Sequence, residues 1–180
     1  FDAGGLSIKP SSGMLTMRCD MGGGATVLGV MRAIRDIQPD VEVHAFVGAV
    51  ENMTGGNAMI LGDILHMYNG KRGEVHNTDA EGRLVMADCL ALASEIGVDQ
   101  VVDVATLTGA VVVALGEDYA GLFTGADNMA NALLNSAEHA GEGIWRMPLH
   151  QLYKKKLKAE WGDIKNLGDR WGGAITAALF

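Results

Sequence analysis

The chain has 180 residues, enough for one domain with a substantial core, and its 48% hydrophobic and 20% charged residues exclude a disordered polymer. A formal net charge of −8 and a pI near 5.0 argue against nucleic acid as a partner of this segment. The only basic run, Lys154-Lys155-Lys156, reads as a solvated helix face. Cys19 and Cys89 lie far apart with no CxxC pair, which excludes a dense disulfide framework and fits a reducing, cytoplasmic setting.

Taken in chain order, Thr26 to Ile37 is predicted to be a helix that ends before Pro39. Val41 to Val50 is rich in β-branched residues and predicts a strand. Leu84, Ala87, Ala91 and Leu92 recur at helical spacing, so Leu84 to Ile96 predicts a helix that stops at Gly97. Gln100 to Val104 reads as a second strand, buried on both faces. Val101 to Gly116 is the most apolar stretch, but Asp103 and Gly109 interrupt it and it is too short to span a bilayer. Two further helices are expected at Met129 to Ala140 and His150 to Leu157. Strands alternating with helices predict an α/β domain over 1–180, with a mixed, mostly parallel sheet flanked by helices.

Glycine is over-represented: 25 residues, about twice the usual ~7% share. The clusters Gly4-Gly5, Gly22-Gly23-Gly24, Gly55-Gly56 and Gly172-Gly173 separate apolar segments and suggest tight turns around a shared site. Several familiar sites are excluded. There is no GxSxG elbow, no HExxH pair and no GxxxxGK[ST] loop. The GxGxxG pattern fails because Val27 stands where the third glycine belongs.

The remaining chemistry is acidic. In Asn77-Thr78-Asp79-Ala80-Glu81-Gly82-Arg83, an extended backbone would put Asp79, Glu81 and Arg83 on one face. Two such carboxylates can ligate one cation or bridge two. On pattern alone Thr78-x-x-Glu81 before an apolar run reads first as a helix capping box. Asp2 and Asp20 each precede a Gly-rich turn, and each reads first as an Asx turn or an N-cap. Lys9 alone would be a surface lysine, and Met17 a core residue.

Read together, FDAGGLSIKP, MRCDMGGGATVLG, ENM, NTDAEGRLVMAD, ATLTGA and GGAITAA resemble the leucyl aminopeptidases, also called cytosol aminopeptidases, in order and spacing over essentially the whole chain. The resemblance implies a zinc-exopeptidase-like catalytic domain, with its site at the carboxyl edge of the sheet, that hydrolyses N-terminal peptide bonds and favours residues such as leucine. It implies two divalent metal ions (zinc, manganese or magnesium). Asp2 and Glu81 would bridge them, Asp79 would bind the more exchangeable one and Asp20 the tighter one. Metals about 3.5–4 Å apart can deprotonate a shared water. The resemblance further implies that Lys9 stabilises the oxyanion and that Arg83 holds a bicarbonate that shuttles protons. Met17, Thr106, Leu107 and Gly109 would contact the peptide substrate.

The same resemblance implies a further lysine ligand three residues before Asp2, a position ahead of Phe1. It also implies an N-terminal domain and later strands outside these 180 residues. By itself the chain is therefore expected to be a weak enzyme, while the complete protein is expected to form hexamers. An alternative expectation is a truncated, non-catalytic copy that serves as a metal-binding, scaffold or interaction module.

Overall fold

A computed structural model describes residues 1–180. The chain divides into two compact units, Phe1–Leu107 with Ala159–Asn166, and Thr108–Lys158 with Leu167–Phe180. No helix is long and apolar enough to cross a membrane. Cys19 and Cys89 are both free thiols.

The first unit carries a short helix α1 (Ser11–Met14), a 3-10 turn at Met17–Cys19 and the long helix α2 (Gly22–Ile37). Gln38 closes α2 in the left-handed region, its N–H returning to the Ile34 carbonyl one residue before Pro39. Strands β1 (Ile64–His66) and β2 (Arg72–Glu74) pair antiparallel. A turn through Gly70, φ 81°, joins them. Helix α3 (Gly82–Ile96) follows and ends at Gly97, φ 82°, as its sequence requires.

In the second unit, α4 (Gly109–Leu115) is capped by the Thr108 hydroxyl, which accepts from the Val111 N–H. Strand β3 (Tyr119–Leu122), helix α5 (Asp127–Ala140) and strand β4 (Gly143–Arg146) form a right-sized crossover unit in which β3 and β4 pair parallel over four residues. Strand β5 (Ile164–Lys165) belongs to the first unit, where it pairs parallel with β2 and makes the order β1-β2-β5. The chain closes with α6 (Gly173–Leu179), whose Ala174, Thr176, Ala177 and Leu179 are buried. The sheets are thus mixed, with more parallel than antiparallel pairings and helices around them.

Several local expectations are corrected. Val41 to Val50 forms no strand: the one backbone bond it accepts is from the Phe1 amino group to the Val50 carbonyl, and Val41, Val43, Val47 and Val50 are all exposed. Gln100 to Val104 likewise forms no strand, and Val101, Val102 and Val104 are exposed rather than buried on both faces. β-Branched residues fit a pleat, but a strand exists only where a neighbour supplies the ladder. Both segments instead meet α2. A Cβ on Gly23 would collide with the Val104 carbonyl, and one on Gly24 would lie 3.1 Å from Val47.

His150 to Leu157 is a 3-10 rather than an α-helix, at Gln151–Leu157. Its tertiary contacts favour three-residue spacing, at which side chains eclipse. His150 meets Tyr153 edge-on at 5.1 Å, and the Lys156 ammonium lies 4.3 Å over the Tyr153 ring. Lys156 also bonds Asp169 and the Trp171 carbonyl, so only Lys154 and Lys155 of the basic run are exposed.

Finally, Asn77 to Glu81 is a turn entering α3, not an extended segment. Thr78 does not cap α3; its hydroxyl accepts from the Ser7 N–H and donates to the Gly4 carbonyl.

Candidate metal centre

Three turns deliver the acids. Asp2 lies in a parallel bridge with Asn52 and is followed by a tight turn. Gly4 has φ 88°, and a Cβ there would sit 2.6 Å from the Ser7 carbonyl and 2.9 Å from the Asp79 carboxylate, so only glycine fits. The Asx turn read for Asp2 is present, because Asp2 Oδ1 accepts from the Gly4 N–H at 2.8 Å. Asp20 follows the 3-10 turn and precedes α2, and Glu81 is the N-cap residue of α3. Carboxylates at helix N-termini are favoured by the helix dipole.

Asp2, Asp20 and Glu81 each offer a carboxylate oxygen, and these atoms lie within 4.8 Å of one another. Asp79 joins them through Lys9. The Lys9 ammonium is 2.8 Å from Asp2 Oδ2 and 2.5 Å from Asp79 Oδ1. Asp20 Oδ1 accepts from the Thr106 hydroxyl at 2.9 Å. Leu107 lies against Gly82 at the start of α3. Met17 is half-buried, and its carbonyl accepts from the Asp20 N–H. Gly109 is exposed and opens α4 in the second unit.

The electrostatics follow from this crowding. Burial pushes Glu81 up to about 7, and the Asp2 and Asp79 charges push the same way. Burial also raises Asp20, with Asp2 adding to the effect and Thr106 opposing it. Asp2 moves down: burial would raise it, but Lys9, the Gly4 N–H and Asn52 together outweigh that. Lys9 moves up, since Asp2 and Asp79 outweigh its own desolvation, and it remains a fixed cation. Arg83 is buried, and desolvation lowers its affinity for a proton against the pull of Glu81. Its Nε is buried with no hydrogen-bond partner.

Two asparagines not singled out from the sequence organise the turn. Asn166 is fully buried. Its Oδ1 accepts from the N–H groups of His76 and Asn77, and its Nδ2 donates to the carbonyls of Asn77 and Ala80. Asn52 shares its two Nδ2 hydrogens among Asp2 Oδ1, the Thr78 carbonyl and Glu81 Oε2, with the Glu81 contact the longest at 3.1 Å. Asn52 stood within the ENM motif, but its type, neutral and common in turns, carries no signal of such a task. Asn166 is 86 or more positions from the groups it clamps, so no local pattern could reveal it.

This arrangement defines a class: a mixed α/β chain with clustered hard oxygen donors suited to divalent cations. The model of the catalytic domain of the cytosol aminopeptidase family matches residues 1–180, and the chain belongs to that family. It is 53% identical over 181 residues to a probable cytosol aminopeptidase of Cyanothece sp., covering all of this chain and 37% of the relative. It is 55% identical over 181 residues to that of Nostoc punctiforme, with the same coverage. Among solved structures it is similar to a substituted form of tomato leucine aminopeptidase, at 50% identity and a TM-score of 0.88, covering 91% of this chain and 33% of that one. The chain thus spans about a third of the length of these relatives.

Proposed function

We propose that the protein containing residues 1–180 releases amino acids, leucine-like ones preferentially, from peptide N-termini with the help of two divalent metal ions. The observation that carries this reading is the meeting of Asp2, Asp20 and Glu81, from three separate turns, within 4.8 Å. Their chemistry fits zinc, manganese or magnesium: the clustered donors are carboxylate oxygens, and burial, with the Asp2 and Asp79 charges adding to it, raises Glu81 to about 7. When bound, the cations supply Lewis acidity toward the scissile carbonyl and lower the pKa of water.

Asp2 and Glu81 would contact both cations, with Asp20 and Asp79 each contacting one. Lys9, held between Asp2 and Asp79, is a fixed positive charge beside the acids. There it stabilises negative charge that grows on the carbonyl oxygen, a contribution commonly worth about 3–4 kcal/mol per donor. The unpartnered Arg83 Nε suits a bicarbonate, whose chemistry is proton transfer. Thr106 orients Asp20, and together with Met17 and Leu107 it would contribute to a peptide-binding wall. The relatives' names and the free thiols support a cytoplasmic protein, and a hexamer is proposed with them.

The test is hydrolysis of a leucine anilide by the complete protein with excess manganese or zinc. Asp20→Asn and Glu81→Gln should abolish both metal uptake and turnover. Arg83→Ala should lower turnover by about 10²–10⁴ while leaving most metal affinity intact, as expected for loss of a positioned proton-transfer group. Wild-type turnover in Asp20→Asn and Glu81→Gln would overturn the reading.

A further inference from the structure

Asn52 joins two of the acid-bearing segments through one residue. Its backbone is fixed to the segment around Asp2: its carbonyl accepts from the Ala3 and Gly5 N–H groups at 3.0 and 3.3 Å, and its N–H donates to the Phe1 carbonyl at 2.8 Å. Its half-buried side chain crosses to the Asn77–Glu81 turn. Nδ2 lies 2.9 Å from Asp2 Oδ1, 2.8 Å from the Thr78 carbonyl and 3.1 Å from Glu81 Oε2.

All three partners are acceptors, so chemistry dictates that the NH₂ and not the oxygen faces them. The amide is neutral and its nitrogen has no free lone pair for a cation, so Asn52 is no ligand by this atom. It donates to two carboxylates whose like charges oppose their approach. Only Asn52 among the side chains donates to both Asp2 and Glu81. The third member, Asp20, is held separately by Thr106.

We propose that Asn52 is a positioning residue, whose amide orients Asp2 and Glu81 toward Asp20 so that the three carboxylates are preassembled to receive a divalent cation. The proposal rests on the reading of this cluster as a metal centre. Groups that hold ligands in place commonly contribute 10–100-fold to metal affinity.

The experiment is Mn²⁺ titration of the full chain followed by electron paramagnetic resonance, with visible spectra of the Co²⁺-saturated protein as a readout of ligand geometry. Asn52→Ala removes the donor, Asn52→Asp replaces it with a further acceptor at nearly constant volume, and Asn52→Gln restores a donor. Ala and Asp variants should bind Mn²⁺ about 10–100-fold more weakly and shift the Co²⁺ bands, while Gln should recover part of the affinity. Wild-type Mn²⁺ affinity and Co²⁺ spectra in both Ala and Asp variants would overturn the role of Asn52 alone, with the metal centre intact. Equal Mn²⁺ uptake by wild type and Asp20→Asn would instead remove the metal centre, and the proposal with it. Loss of the folded circular dichroism spectrum in the Ala and Asp variants alike would assign Asn52 to the fold and overturn the proposal as well.

Discussion

Residues 76–81 and residues 41–50 reverse the usual relation between sequence pattern and order. The first segment is a turn with no ladder, yet side chains from elsewhere satisfy its backbone: Asn166 takes the His76 and Asn77 N–H groups and the Asn77 and Ala80 carbonyls, and Asn52 takes the Thr78 carbonyl. Thr78 is fully buried as a result. The second segment has the strongest β-pattern in the first half of the chain, and it makes no ladder bond and leaves its valines exposed. The difference teaches that irregular backbone can be ordered when dedicated polar groups meet it, and that a favourable pattern is not ordered by propensity alone.

The largest effect that would test this contrast is at Asn166. Asn166→Ala removes four hydrogen bonds made by a fully buried side chain and should cost about 3–5 kcal/mol, measured as the shift in urea-unfolding free energy. Asn166→Asp keeps the acceptor but turns a carboxylate oxygen toward two carbonyls in a buried site and should cost at least as much. A cost below about 1 kcal/mol for the alanine variant would mean that the turn does not depend on its clamp.

Next comes Gly23, where α2 meets the segment before Ala105. Gly23→Ala drives a methyl into the Val104 carbonyl and should cost about 1–3 kcal/mol by the same measurement. A neutral outcome would show that residues 100–104 yield freely, which would widen the contrast.

Glu74 anchors the turn's approach along β2, and its effect depends on pH. Its carboxylate accepts from the backbone N–H groups of Glu160, Trp161 and Gly162 and pairs with His76. The Trp161 N–H and His76 do most to hold it at about 2, below its ordinary 4.5. A carboxylate depressed on folding stabilises the native state above its unfolded value and loses that contribution as pH falls through its folded value. The thermal midpoint of the wild type should therefore exceed that of Glu74→Gln at neutral pH, and the gap should narrow as pH falls from about 5 toward about 3. A gap that is constant over that range would show that Glu74 titrates alike in both states.

The smallest effect is expected in the valine-rich segment. Val41 is 70% exposed, so Val41→Thr should change stability by no more than about 0.5 kcal/mol. A cost matching that of Asn166→Ala would break the contrast outright.

Much of the architecture was legible because its signals are local. Apolar spacing and Gly97 located α3, and Pro39 marked where α2 must end, whereas the acids of NTDAEGR, FDAGG and CDMGGG read locally as caps and Asx turns and only the family resemblance grouped them. Helix periodicity, caps and glycine-requiring turns are written within a few residues of where they act. Pairing is not. Val41 to Val50 carries the composition of a strand, but the ladder requires a second segment, and β2 found its partners at Ile64–His66 and Ile164–Lys165 instead. The same physical reason separates Asp2 from Asn52 and the NTDAEGR turn from Asn166. A carboxylate announces its chemistry by its charge, whereas a neutral amide acquires a task only when folding aims its donors and acceptors at groups 26 to 90 positions away. Sequence alone thus determined which residues carry charge to the centre. Tertiary structure decided which neutral residues hold them there, because hydrogen-bond direction exists only in three dimensions.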